Sequence, residues 1–121
     1  IRVNVTLIFS AAQAILASKA GAAYVSPFVG RVDDNSFSGL DLIKQISDIY
    51  EKQSALYNPV STQILSASIR DVGSVSASFE YGANVVTMPP SIFEKMYNHV
   101  LTDKGLDLFQ KDWEAVNVLK I

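Results

Sequence analysis

Apolar residues along this chain follow two alternating regimes. Short β-branched or aromatic runs recur at Val3–Phe9, Tyr24–Phe28, Gln63–Ala67 and Asn84–Met88, and stretches with helical spacing separate them. The first run predicts a strand, with Ser10 as cap of a helix over AAQAILASKA that Gly21 ends. Tyr24–Phe28 predicts a second strand, broken by Pro27 and running into a loop that holds Gly30, Arg31 and two acids. After the NSFSG loop, LDLIKQISDIYEKQ places Leu40, Ile43, Ile46, Ile49 and Tyr50 on one helical face. SALYNPVS, from Ser54 to Ser61, has Asn58 before Pro59 and no consistent period, so it reads as a loop. Asp71 can cap a third helix, VGSVSASFEY, stopped by Gly82. Past the fourth strand, Pro89 and Pro90 suit a helix start before SIFEKMYNHV. Asp103–Val116 adds an amphipathic helix with Leu106, Phe109, Trp113 and Val116 at helical spacing.

Strands alternating with helices predict an α/β class with parallel strands, about four βα units joined by right-handed crossovers. A complete (β/α)8 barrel needs about 250 residues. At 121 residues the chain reads as a single domain amounting to half of one at most.

Composition narrows the partner. Ten basic residues scattered among twelve acids give a net charge of -2, against the clustered cations that nucleic-acid binding needs. A small molecule fits better. With no cysteine and one histidine, His99, neither a disulfide framework, a thiolate metal site nor a histidine cluster is available, so no metal is expected. The glycine-rich dinucleotide fingerprint and the phosphate-binding Walker loop are missing, and no cofactor is expected. Arg2, an apolar run and ASKAGAA superficially copy a signal peptide, yet Asn4, Thr6, Ser10 and Gln13 interrupt that run. No apolar run reaches the ~18 residues of a membrane span. The expected setting is cytoplasmic. Starting at Ile1, on a strand and without methionine, the chain reads as a fragment or a processed product.

Strands of a parallel sheet covered on both faces read as continuous apolar runs, so polar residues at alternate positions need a reason. Asn4 and Thr6 share one face of the first strand, Tyr24, Ser26 and Phe28 one of the second, and Ser66, Ser68 and Arg70 one of the third; Thr87 lies in the fourth. Thr6, Ser26, Phe28, Ser68 and Arg70 fall nearest the C-terminal strand ends, the active-site end of such folds. Arg31 and Arg70 both follow strands, and a guanidinium fork suits phosphate. The bland reading is that each arginine caps a helix, pairs with Asp33, Asp34 or Asp71, or lies in solvent. For Thr6 it is a strand hydroxyl bonded to a backbone carbonyl, for Phe28 core packing, and for Ser66 and Ser68 small residues that let helices approach. His99 reads as an exposed helix end without catalysis.

VTLIFSAAQA at Val5–Ala14, YVSPFVGRVDD at Tyr24–Asp34, ILSASIRD at Ile64–Asp71 and DWEAV at Asp112–Val116 resemble, in order and at roughly family spacing, the second half of a transaldolase. The resemblance implies the C-terminal half of a (β/α)8 barrel from the transaldolase and fructose-6-phosphate aldolase family. It also implies transfer of a three-carbon dihydroxyacetone unit between sugar phosphates by Schiff-base chemistry, in the pentose phosphate pathway. On the matching positions, Ser26, Arg31 and Arg70 hold the sugar phosphate, or inorganic phosphate or sulfate in its place. Thr6 positions the catalytic water, Phe28 forms the pocket wall, and Ser68 borders the substrate hydroxyls. Phenylalanine at position 28, where the aldolases carry tyrosine, points to group transfer rather than direct aldol cleavage. Trp113 belongs to a C-terminal helix that in this family often packs on a neighbouring subunit, with packing inside the chain as the alternative.

One part of the family pattern is missing. The Schiff-base lysine lies on the strand before Val3, and Lys19, Lys44, Lys52, Lys95, Lys104, Lys111 and Lys120 all fall on predicted helices, loops or the tail. Alone, the chain is expected to be inactive, and to form a homo-oligomer or pair with the missing N-terminal half across its unpaired strand edges. A different class competes: a non-catalytic half barrel or flavodoxin-like open sheet that holds an anion at Arg31 and Arg70.

Overall fold

The computed structural model describes residues 1–119 of the chain. They cluster into two compact units, Ile1–Pro89 and a second beginning at Pro90. The first unit contains, in order, β1 (Asn4–Ile8), α1 (Ala11–Lys19), β2 (Tyr24–Pro27), α2 (Val29–Asp34), α3 (Gly39–Leu56), β3 (Gln63–Ser66), α4 (Val72–Glu80) and β4 (Val85–Val86). Its four strands pair in the order β1-β2-β3-β4, every pair parallel. A flavodoxin-like sheet reverses its direction of growth at a switch point. This sheet never reverses, so the flavodoxin-like alternative falls and the half-barrel expectation holds.

Sequential growth has a geometric consequence. Crossovers of one hand that always advance in the same direction put every covering helix on the same side of the sheet. Accordingly α1 packs beside α3 and α3 beside α4, with α1 against β1 and β2, α3 against β2 and β3, and α4 against β4. Val25 and Ile64 meet in register and are almost fully buried, as are Ile43 and Ile46 of α3 and Val75 of α4. Asn4, Thr6 and Leu7 of β1 remain exposed, and Tyr24, Gln63 and Leu65 are half-buried. The unit therefore has one apolar, helix-covered face and one open face.

Local chemistry agrees with most expected boundaries. Ser10 Oγ accepts from the Gln13 amide at 3.3 Å, Ser38 Oγ from Asp41 at 3.2 Å, and Asp71 Oδ1 from Ser74 at 2.7 Å, capping α1, α3 and α4. Gly21 and Gly82 end α1 and α4 at φ of 87° and 114°.

Four readings of the first unit need correction. The segment after Phe28 is the short helix α2 rather than a loop, since the amide of Val32 bonds back to the Phe28 carbonyl. On α3, Leu42 and Ser47 are buried with Ile43, Ile46 and Tyr50, while Leu40 and Ile49 are only half-buried, because the helix is wedged between neighbours as well as laid on the sheet. The Ser54–Ser61 loop is shorter than expected: α3 runs on to Leu56, and Ser54 Oγ accepts from the Val60 amide at 2.8 Å to close the turn. Ser66 does not share a face with Ser68 and Arg70. It is fully buried toward α4, 3.0 Å from Ser78 Oγ, as a small residue that lets helix and strand approach.

The second unit holds α5 (Pro90–Lys95) and α6 (Val100–Leu119). The expected helix over SIFEKMYNHV stops at Lys95, and α6 starts ahead of the expected Asp103. The exposed His99 Nδ1 accepts from the Leu101 amide at 3.1 Å, serving the first turn of α6. Leu106, Phe109, Trp113 and Val116 are exposed. No helix among the described residues is long and apolar enough to cross a membrane.

Two outcomes check this packing. Ile43→Ala, at a side chain with 0% exposure, is expected to lower unfolding free energy by about 2–5 kcal/mol in urea titrations. Gly21→Ala and Gly82→Ala both place a methyl at positive φ, but only at Gly82 does it run into Ser47. Gly21→Ala is expected to cost about 1 kcal/mol and Gly82→Ala clearly more, read from the same titrations.

Candidate functional site

The open face ends, at the C-terminal tips of β1, β2 and β3, in the residues on which the candidate chemistry rests. On β1 the register slips. Val5 faces Val25 and Ile8 faces Pro27, so Thr6 and Leu7 together oppose Ser26. Such a bulge re-aims side chains and is common beside active sites. Leu7 accordingly has φ of 55°, and Ser68, past the end of β3, has φ of 59°. Left-handed backbone is costly for a branched residue such as leucine and is retained where its surroundings over-determine it. Thr6 lies in this bulge and is exposed.

Ser26 is 2% exposed, and its hydroxyl donates to Asn4 Oδ1 at 2.7 Å, tying β2 to β1 across the open face. Two residues on, Phe28 pairs with Ala67 in a parallel bridge that prolongs β2 and β3. Its ring sits 6.1 Å from that of Phe9, at 60°, and the Arg31 guanidinium lies 5.1 Å from its centroid. Phe28 thus contacts both a second aromatic ring and a cation, the latter favoured by the negative face of its π-system.

Arg70 takes a different partner. Its two terminal nitrogens donate to the two carboxylate oxygens of Asp34 on α2, the Nη2–Oδ2 bond at 2.7 Å. One of the bland alternatives, pairing with Asp34, is therefore realised. The hydrogen bond from Arg70, with its charge in addition, holds the Asp34 carboxyl below its ordinary 3.8; the same hydrogen bond and the Asp34 charge raise Arg70. Both side chains remain about half exposed, at 54% and 52%, so the pair contributes little to stability.

What brings these groups together is backbone. The Val29 amide donates to the Ala67 carbonyl and the Gly30 amide to the Ser68 carbonyl, both at 3.0 Å, fastening the first turn of α2 to the chain leaving β3. Arg31 and Asp34 sit on α2 itself, and Ser68 and Arg70 on the segment bonded to it. The structure thus gathers Phe28, Arg31, Ser68 and Arg70 around one helix. Ser26 and Thr6 belong instead to the neighbouring β1–β2 edge. Between β3 and β4 an open groove of about 490 Å³ is lined by Ser68, Ile69, Arg70, Thr87, Met88 and Pro89. Sequence reasoning found no role for Gly30 and gave Asp34 only the role of an ordinary ion-pair partner; their spacing of four residues was legible only once α2 was known to be a helix.

The six described lysines, Lys19, Lys44, Lys52, Lys95, Lys104 and Lys111, all lie on helices with exposed side chains. Lys120 lies outside the described residues. Among the described residues no cluster of histidine, aspartate and glutamate has the form of a metal site.

Comparison with known proteins bears on the whole chain. Solved structures with similar backbone geometry include a flavocytochrome b2 variant with sulfite bound (TM-score 0.59, 14% identity, covering 72% of this chain and 22% of that one) and a mandelate oxidase variant (TM-score 0.55, 20% identity, covering 73% and 25%). At that identity they speak to the fold alone. Curated relatives are closer. A probable transaldolase of Paracoccus denitrificans (strain Pd 1222) is 54% identical over 112 residues, 93% of this chain and 49% of the relative. Another, from Rhodospirillum centenum (strain ATCC 51521 / SW), is 54% identical over 120 residues, 98% and 50%. A third, from Clostridioides difficile (strain 630), is 50% identical over 118 residues, 98% and 52%. The chain spans about half the length of these relatives. The family model described as transaldolase/fructose-6-phosphate aldolase matches residues 1–119. With sequential parallel strands and close relatives along nearly its full length, the chain belongs to the transaldolase/fructose-6-phosphate aldolase family.

Proposed function

We propose that this chain carries the phosphate grip and the water-positioning threonine of a transaldolase-type transferase, which moves a three-carbon dihydroxyacetone unit between sugar phosphates through a Schiff base. The carrying observation is the fastening of α2 to the Ser68 segment, which sets both strand-end arginines around one helix. Arg70 uses one hydrogen on each terminal nitrogen to bind Asp34 and keeps three of its five N–H groups for an anion. Arg31 supplies a second guanidinium, already oriented by the Phe28 ring. Ser68 borders the sugar hydroxyls, and Phe28 closes the pocket wall. Ser26 joins the phosphate contacts by exchanging its bond to Asn4 for one to the anion. Thr6, exposed in the bulge of β1, offers its hydroxyl to hold a water against the reacting carbon.

In such chemistry a desolvated lysine amine attacks the ketose carbonyl, and the resulting iminium accepts the electron pair when the carbon–carbon bond breaks. The described lysines are solvent-exposed and none is on a strand. The nucleophile therefore comes from outside these residues: catalysis needs an N-terminal half as partner, whereas a homo-oligomer covers the sheet edges without supplying the amine. The unpaired edges of β1 and β4, with Val3, Leu7 and Phe9 exposed along β1, support that pairing. A cytoplasmic role in the pentose phosphate pathway follows from this chemistry. Read without the missing half, the same residues form a non-catalytic phosphate-binding half barrel, which the exposed lysines favour for the chain in isolation.

Borohydride trapping tests the proposal. The 121-residue chain incubated with a ketose phosphate is expected to leave no covalent adduct, whereas mixing it with the N-terminal half of a related transaldolase restores one. An adduct on any of the seven lysines of this chain would overturn the assignment. Arg31→Ala and Arg70→Ala are each expected to weaken phosphate binding by about tenfold or more, measured by calorimetry.

A further inference from the structure

Resting on the phosphate-grip reading, we propose that Gly30 and Asp34 are positioning residues that together hold the Arg70 guanidinium in place for the anion. Residues four apart on a helix face the same way, and 30 and 34 are so related on α2. Asp34 holds the tip of Arg70 through two parallel hydrogen bonds. At the other end of the guanidinium, a Cβ added at Gly30 would run into the Ser68 backbone carbonyl and lie 2.8 Å from both Arg70 Nε and Ser68 Oγ. Any side chain there would take the space through which Arg70 now runs.

The choice of glycine needs a reason. Gly30 does not occupy the positive-φ region, and inside a helix glycine is less stable than alanine. Its backbone conformation is open to any residue, so the close approach of the Ser68 carbonyl, with the Arg70 side chain beside it, accounts for it. Asp34 poses the complementary question, because an exposed ion pair does little for the fold. What it does is fix orientation. An unrestrained arginine loses rotamer freedom when it grips an anion, and a bidentate carboxylate removes that freedom beforehand. The guanidinium is then presented with its Nε edge beside Ser68 and its two unpaired Nη hydrogens free. Asp34 and the anion thus use different edges of one planar group and need not compete.

Inorganic phosphate serves as the probe. In calorimetric titrations of the full 121-residue chain, Asp34→Ala and Gly30→Ala are each expected to raise Kd by about three- to tenfold, with the thermal midpoint of Asp34→Ala unchanged. In an Arg70→Ala background Asp34→Ala should have no further effect, while in an Arg31→Ala background its effect should persist in full; a purely structural role would not produce that asymmetry. Tighter phosphate binding in Asp34→Ala would show that the carboxylate competes with the anion, and would overturn the inference. A second readout is independent of phosphate. The Arg70 Nε–H signal in a ¹H–¹⁵N spectrum should be resolved in the wild-type chain and broadened in both variants, and a signal indifferent to Asp34→Ala would also defeat the inference. If instead the signal responds but Arg31→Ala and Arg70→Ala leave phosphate binding unaltered, the phosphate-grip reading fails and the positioning of Arg70 stands.

Discussion

The burial of one side of a four-stranded sheet underlies everything else in this chain. Val25 and Ile64, in register on β2 and β3, are removed from water with Ile43 and Ile46 of α3 and Val75 of α4. Each such side chain contributes about 1.5–3 kcal/mol on transfer from water, the largest favourable term available to a unit of this size. Because that term is satisfied on the helix side, the opposite face is free to carry Asn4, Thr6, Tyr24 and Gln63. A sheet covered on both sides would have had to bury them.

The same asymmetry explains where strain and polarity collect. Left-handed Leu7 and Ser68 both sit where strands leave the packed layer, one in the bulge of β1 and one beyond β3. Main-chain bonds from Val29 and Gly30 to Ala67 and Ser68 hold that region. Those bonds set the position of α2, and α2 in turn sets that of Arg31 and Asp34. Through Asp34 and the gap left at Gly30, the helix also directs Arg70, a residue of a different loop. One six-residue helix therefore organises groups from two strand ends.

The comparison with relatives places this half in context. The matches cover nearly all of this chain and about half of each probable transaldolase, and among the described residues β1 and β4 are the outer strands of the sheet. Among the described residues the lysines are exposed on helices, while Arg31 packs on Phe28 and Arg70 is paired with Asp34.

The alternation of strands with the longer helices, the parallel class and two helix N-caps were determined by the sequence, because they rest on local rules. Ser10 and Asp71 announce helix starts, Gly21 and Gly82 announce ends, and β-branched runs alternate with helical periods. The transaldolase motifs were equally legible, since they are strings of adjacent residues. Tertiary structure alone decided that Val29–Asp34 is helical, since six residues are too few to show a period and the bonds to Ala67 and Ser68 span more than thirty positions. It decided that Ser66 faces Ser78, because the left-handed turn at Ser68 breaks the alternation by which Ser66, Ser68 and Arg70 would share a side. It also decided which of three nearby acids Arg70 would choose, because a long flexible side chain reaches any of them in sequence and only the placement of α2 brings the Asp34 carboxylate into line with both of its terminal nitrogens.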